Sequence, residues 1–235
     1  MANSLDLRIL LELNSLIPAS HLGAKAFYFP ANNALLRSLP ILFPLTSLWF
    51  SPLANGRRSR MLIGIVTSCL ATVFSVWLQS HLHFSVRPFL DPNLHLRGAE
   101  LVQTEGWNHL GSFPSDTGTL LFALSTVVFL ERRFAGIIAY LWSFLVAGVI
   151  RVAVGWHYPS DVLGAIVLGC VSVLVVTRIG ALRRATNSML QRMEPHIYIV
   201  HSLMFFLLAD AMSLFNSGLQ FLHGIRDVVQ LALRR

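Results

Sequence analysis

Long apolar stretches broken by short polar clusters run along this chain from about position 34 to position 215. The cleanest, Met61 to Leu82, holds no Asp, Glu, Lys or Arg and is bracketed at its end by His81 and His83. A helix needs roughly 20 apolar residues to cross hydrocarbon, so this stretch predicts a transmembrane span. Ala34 to Leu53 comes before it, interrupted by Arg37, Pro40 and Pro44, and reads as a first span that neighbouring helices must support. Ser115 to Leu130, Phe134 to Val154, Val162 to Val176 and His196 to Phe215 complete a set of six, with the third and fifth short for the hydrocarbon thickness. Met1 to Ser20 alternates Leu and Ile with polar residues at helical spacing and lacks a basic leader and cleavage site, which predicts an interfacial amphipathic helix. The expected fold is all-α: a polytopic membrane helical bundle forming a single domain over 1–235, with 1–33 an interfacial N-terminal segment.

Composition agrees with a bilayer as solvent, since 54% of residues are hydrophobic and 12% are charged, against about 25% charged in a soluble domain. The net charge of +7 does not imply nucleic acid, because the arginines fall in short clusters between apolar stretches rather than along one basic face. Arg57, Arg58 and Arg60, then Arg132 and Arg133, then Arg178, Arg183, Arg184 and Arg192 mark three loops as cytoplasmic. The loops 83–113 and 155–161 then share the opposite face with both termini. Cys69 and Cys170 lie inside apolar runs and read as small core residues rather than a disulfide or metal site. No metal or cofactor is expected. No repeat or low-complexity tract interrupts the pattern.

Three polar clusters sit at the boundaries on that opposite face: Arg87-Pro88, the run Phe113-Pro114-Ser115-Asp116-Thr117, and Arg151 through Asp161. Pro159 suits the first turn of a helix, which puts His157 just before a helix start and Asp161 within its first turn. Each part has a use in phosphoryl transfer. Two guanidiniums can fork onto phosphate oxygens. Helix starts at Ser115 and Pro159 offer unpaired amides and a positive dipole end. An imidazole is a competent nucleophile toward phosphorus when a carboxylate orients it.

In these motifs the chain resembles the type 2 phosphatidic acid phosphatase superfamily, whose signature is Lys-x6-Arg-Pro, then Pro-Ser-Gly-His, then Ser-Arg-x5-His-x3-Asp. The resemblance covers residues from about 60 to 180. It implies Arg87, Ser115 and Arg151 as phosphate-binding residues, His157 as nucleophile and Asp161 as the partner of that histidine. The order of spans and loops is similar to that of bacterial members acting on prenyl diphosphates. Three departures from the pattern matter: Ser80 stands in place of the lysine, Ile150 in place of the serine before the arginine, and Thr117 in place of the histidine that protonates the leaving group.

The departure at Thr117 bears on substrate. A general acid is worth roughly 10² to 10⁴ in rate, and a lipid alkoxide, akin to hydroxide with a conjugate-acid pKa of roughly 16, needs one. A diphosphate instead releases a phosphate group whose second pKa is about 6, and it can leave unprotonated. The expected substrate is a lipid diphosphate such as undecaprenyl diphosphate, or a related lipid phosphate. Asp116, Thr117 and His109 are the auxiliary candidates nearby, and His81 or His83 could restore part of the lost charge. The expected activity is that of a membrane lipid phosphatase or phosphotransferase working through a phosphohistidine, sited on the periplasmic face of a bacterial inner membrane. Two alternatives are a catalytically silent relative that binds or moves phospholipid, and a small transporter built on His201 and Asp210. Trp77, Trp107 and Trp142 read as packing or interface residues, and Trp156 as a wall beside His157.

Overall fold

The computed structural model describes residues 3–51, 55–82, 85–98, 100 and 111–212, and among these every regular element is helical. The helices are α1 (Ser4–Ser15), α2 (His21–Asn32), α3 (Ala34–Phe50), α4 (Asn55–Leu82), α5 (Asp116–Glu131), α6 (Arg133–Ser143), α7 (Arg151–Ala153), α8 (Pro159–Val176), α9 (Gly180–Arg192) and α10 (Ile197–Met212). A π-helical stretch, Phe144–Ile150, joins α6 to α7, so that Arg133–Ala153 is one continuous apolar helix. Three described helices are long and apolar enough to cross a membrane: Gly56–Leu82, Arg133–Ala153 and Pro159–Val176. Ala34–Phe50 is a shorter apolar helix. His83, Trp107 and His109 lie outside the described residues, as does the end of the expected last span beyond Met212.

Helix α5 is the axis of the bundle. It packs against α4, α6 and α8, and all but two of its residues, Phe129 and Leu130, are buried. A helix apolar on every side requires such surroundings. Its 16 residues rise only about 24 Å, less than the roughly 30 Å of hydrocarbon. Enclosure by longer neighbours removes the need to match that thickness. Gly169 of α8 permits a close approach, since a Cβ there would lie 2.6 Å from the Thr119 carbonyl oxygen of α5.

The two ends of α5 are fixed differently. At its C-terminal end the buried Glu131 carboxylate takes Arg57 Nε at 3.0 Å and Arg60 Nε at 2.7 Å from the start of α4. The arginines that mark topology therefore also pin two helices together. At its N-terminal end α5 meets the start of α8, where the Ser115 amide donates to the Asp161 carbonyl at 3.1 Å.

Helix α1 sits over that same end. Asp6 accepts from the Ser160 amide and hydroxyl, both at 2.9 Å, and so caps α8 from another helix. Asn14 donates to the Ala153 carbonyl at 2.8 Å and accepts from the Arg97 amide at 3.0 Å. The amphipathic pattern at the N-terminus thus serves a specific docking surface built from buried Leu10, Asp6 and Asn14.

Candidate active site

The turn between α7 and α8 aims its side chains by backbone means. Gly155 holds φ at +78°, and a Cβ there would lie 2.4 Å from Leu96 Cδ1, so the close approach of loop 85–98 requires glycine. Phe89 donates its amide to the Gly155 carbonyl at 2.9 Å, which draws the Arg87 segment onto this turn. Helix α8 then starts at Pro159 as expected, with Asp161 Oδ2 accepting the Tyr158 amide at 2.7 Å. Helix α5 starts beside it, with Ser115 Oγ accepting the Gly118 amide at 3.2 Å. Two positive helix ends therefore face one spot.

His157 lies at that spot, fully buried. Its Nδ1 is 2.9 Å from the Ser112 carbonyl oxygen, which can only accept, so the ring proton sits on Nδ1 and Nε2 keeps its lone pair. Arg151 Nη2 is 3.3 Å from that Nε2. Burial lowers the His157 pKa from its ordinary 6.5, with Arg87 and Arg151 acting in the same sense and Asp161 opposing them. Asp161 Oδ2 stands 3.7 Å from Nδ1, beyond hydrogen-bond length. The histidine is thus oriented directly by Ser112, while Asp161 supplies a nearby negative charge and shapes the turn.

Around Nε2 the structure gathers Arg151, Arg87 and Asp116 from three separate segments. Arg151 is 97% buried and stacks its guanidinium 4.3 Å from the centre of the Trp156 ring. Arg87 is buried, donates to Gln79 Oε1 at 3.1 Å, and shares the electrostatic field of Asp116, Arg151 and His157. Asp116 Oδ1 lies 3.8 Å from Arg151 Nη2 and 3.9 Å from His157 Nε2. Arg151 Nε and Thr117 Oγ1 are buried without a hydrogen-bond partner among the described residues. Buried polar groups left unmet in this way mark where an incoming oxygen would be stabilised. No cluster of three or more potential metal ligands occurs among the described residues.

Of the two histidines expected to replace the lysine, His81 is not at the site and His83 lies outside the described residues. Ser80 bonds to Trp77 and His81, and the His81 ring stacks on Trp77 at 4.6 Å on the exposed side of α4. The site side of α4 presents Gln79, whose amide donates to the Pro114 carbonyl at 2.6 Å while its oxygen holds Arg87. Arg37 is the larger omission of the sequence reading. It is 93% buried in α3, donates to the Ala31 carbonyl at 3.3 Å, and faces the charges of Asp116 and Arg151. Its signal was present as an arginine inside an apolar stretch, a position rarely occupied without a role. His201 packs against Trp49 and Phe50 near Arg58, at the end of the bundle away from His157.

Comparison with known proteins bears on the same residues. The chain is 31% identical over 129 residues to the bacitracin transport permease protein BcrC of Bacillus licheniformis, covering 53% of this chain and 58% of that protein. It is 26% identical over 144 residues to the undecaprenyl-diphosphatase BcrC of Bacillus subtilis (strain 168), covering 60% and 67%. It is also 26% identical over 157 residues to YbjG of Escherichia coli (strain K12), provisionally named an undecaprenyl-diphosphatase, covering 60% and 68%. No solved structure matches the chain significantly. Residues 60–185 match the PAP2 superfamily, a segment that is more than half of the chain and holds Arg87, Ser115, Arg151, His157 and Asp161. By that match this all-helical chain belongs to the PAP2 superfamily, the type 2 phosphatidic acid phosphatases.

Proposed function

We propose that the chain is a membrane lipid phosphatase or phosphotransferase that acts on a lipid diphosphate, of the prenyl diphosphate class, with His157 as nucleophile. The observation that carries this reading is the disposition of His157: a neutral imidazole whose Nδ1 proton is held by the Ser112 carbonyl and whose unprotonated Nε2 accepts from Arg151. In the proposed reaction the Nε2 lone pair attacks the terminal phosphorus. The bridging P–O bond breaks, and its electron pair leaves with the lipid phosphate. Water or an acceptor hydroxyl then attacks the phosphohistidine, the N–P electron pair returns to Nε2, and the proton of the attacking group passes to solvent. Arg87, Arg151, the Ser115 hydroxyl and the two helix starts hold the charge that spreads over the oxygens. Asp161, close to Nδ1, would favour the imidazolium character that His157 acquires during attack.

Six spans, with the site on the periplasmic face of a bacterial inner membrane, are the topology this reading adopts. The leaving group argues for a diphosphate, since Thr117 offers no acid and a departing phosphate needs none. The names of two relatives point to the same substrate. The test is a panel of lipid monophosphates and diphosphates, scored for phosphate release by the wild type and by His157→Ala. Release from prenyl diphosphates well above that from phosphatidic acid, abolished in the variant, is the expected result. Equal or faster release from phosphatidic acid would overturn the substrate. The second reading, a silent phospholipid-binding relative, is favoured by the uncharged Ser80 and Thr117, and a panel with no release anywhere would select it.

A further inference from the structure

Asp116 stands beside the two groups that would meet the phosphate, His157 and Arg151. Its Oδ1 is 3.9 Å from His157 Nε2 and 3.8 Å from Arg151 Nη2, and those two nitrogens are 3.3 Å apart. A phosphoryl group under attack by Nε2 must place its phosphorus about 3 to 3.5 Å from that nitrogen and an oxygen on Arg151. Its oxygens would then crowd Asp116 Oδ1, which lies within 4 Å of both nitrogens. The carboxylate is 97% buried and is held in place by the Thr117 amide at 2.7 Å. Water therefore cannot screen it from an arriving anion.

The charges facing Asp116 decide the outcome. They are Arg37 from α3, Arg87 from the loop after α4, Arg151 from α7 and His157 from the following turn, with Asp161 from the start of α8 beside them. With His157 neutral, three guanidiniums oppose two carboxylates, and one positive charge remains. A phosphoryl dianion outweighs that single charge while pressing directly against one of the carboxylates. A single proton on Asp116 relieves both problems and turns an acceptor into a donor toward the anion.

We propose that Asp116 borders the phosphate position and takes up one proton when a dianion binds, making anion binding proton-coupled. This rests on the phosphatase reading for its biological sense, though the coupling itself is measurable without turnover. The probe is sulfate, a dianion that keeps its charge between pH 5.5 and 8.5 and so cannot supply the proton itself. Sulfate is titrated calorimetrically into the detergent-purified full chain, in buffers of differing ionisation enthalpy.

The wild type is expected to take up about one proton per sulfate and to weaken about tenfold per pH unit on the alkaline side. Asp116→Asn and Asp116→Gly should bind sulfate more tightly at pH 8 and with little pH dependence, and agreement between the two guards against a folding defect in either. Wild-type affinity that is flat with pH, or an undiminished slope in both variants, would overturn the proposal. Uniformly weaker binding in both variants would also overturn it, because that is the signature of a merely structural carboxylate. Proton uptake in the wild type without phosphate release from any lipid would sink the phosphatase reading and leave the coupling standing.

Discussion

His157 donates from Nδ1 to the Ser112 carbonyl, which leaves Nε2 as the only nitrogen able to attack and makes its protonation the limit on the acid side. Because burial lowers this pKa below 6.5, the imidazole is neutral at pH 7, and on the acid side kcat/KM should fall about tenfold per pH unit below that lowered value. The linked stability has the same sign: a depressed folded-state pKa contributes fully above 6.5 and is lost as pH falls through the lowered value. A pH–rate profile checks this, and an acid-side midpoint above 6.5 would contradict it. Arg37 makes a second prediction at this scale. A unit charge about 10 Å from another at an effective dielectric of about 20 is worth roughly 1.7 kcal/mol. Arg37→Gln should therefore lower kcat/KM for a lipid diphosphate by about tenfold or more, and an unchanged value would remove Arg37 from the site. His157, Arg151 and Asp161 were legible because their spacing is local to one turn. Arg37 stood out as an arginine inside an apolar stretch, but its approach to the site, like that of Gln79, was not legible, because it arises from the packing of α3 and α4 onto distant segments.

At the scale of elements, the apolar stretches marked helices where they occur, from Ala34, Pro159 and the region around Asp116 onward. Their environments were less legible. The apolar pattern of α5 looks the same whether it faces lipid or is enclosed, and enclosure became visible only with α4, α6 and α8 around it. Helix α4 starts at Asn55, ahead of Met61, because its early arginines find Glu131 and need not end the helix. Helix α1 supplies the third prediction. Asp6 caps α8 through Ser160, in the turn that also carries His157. Loss of such a cap costs roughly 1 to 2 kcal/mol. Asp6→Ala should lower the thermal unfolding temperature in detergent and reduce kcat, whereas Asp6→Asn should recover much of both. Wild-type behaviour of Asp6→Ala would show that α1 rests on the bundle without holding the turn.

At the scale of the molecule, Arg57, Arg60 and Glu131 gather at one end and Arg87, Arg151 and His157 at the other. In the proposed topology the first end is cytoplasmic, because the arginine clusters lie there. An impermeant thiol reagent should therefore label Asn93→Cys from outside intact cells and reach Arg184→Cys only after permeabilisation, both positions being exposed. The reverse labelling would invert the topology. The catalytic claim is tested most directly by rapid quenching of the wild type and His157→Ala mixed with a prenyl diphosphate labelled at its terminal phosphate. The expected result is an acid-labile, base-stable label on the wild-type peptide that carries His157, with neither label nor phosphate release from the variant. Phosphate release by His157→Ala at a rate near that of the wild type would contradict it.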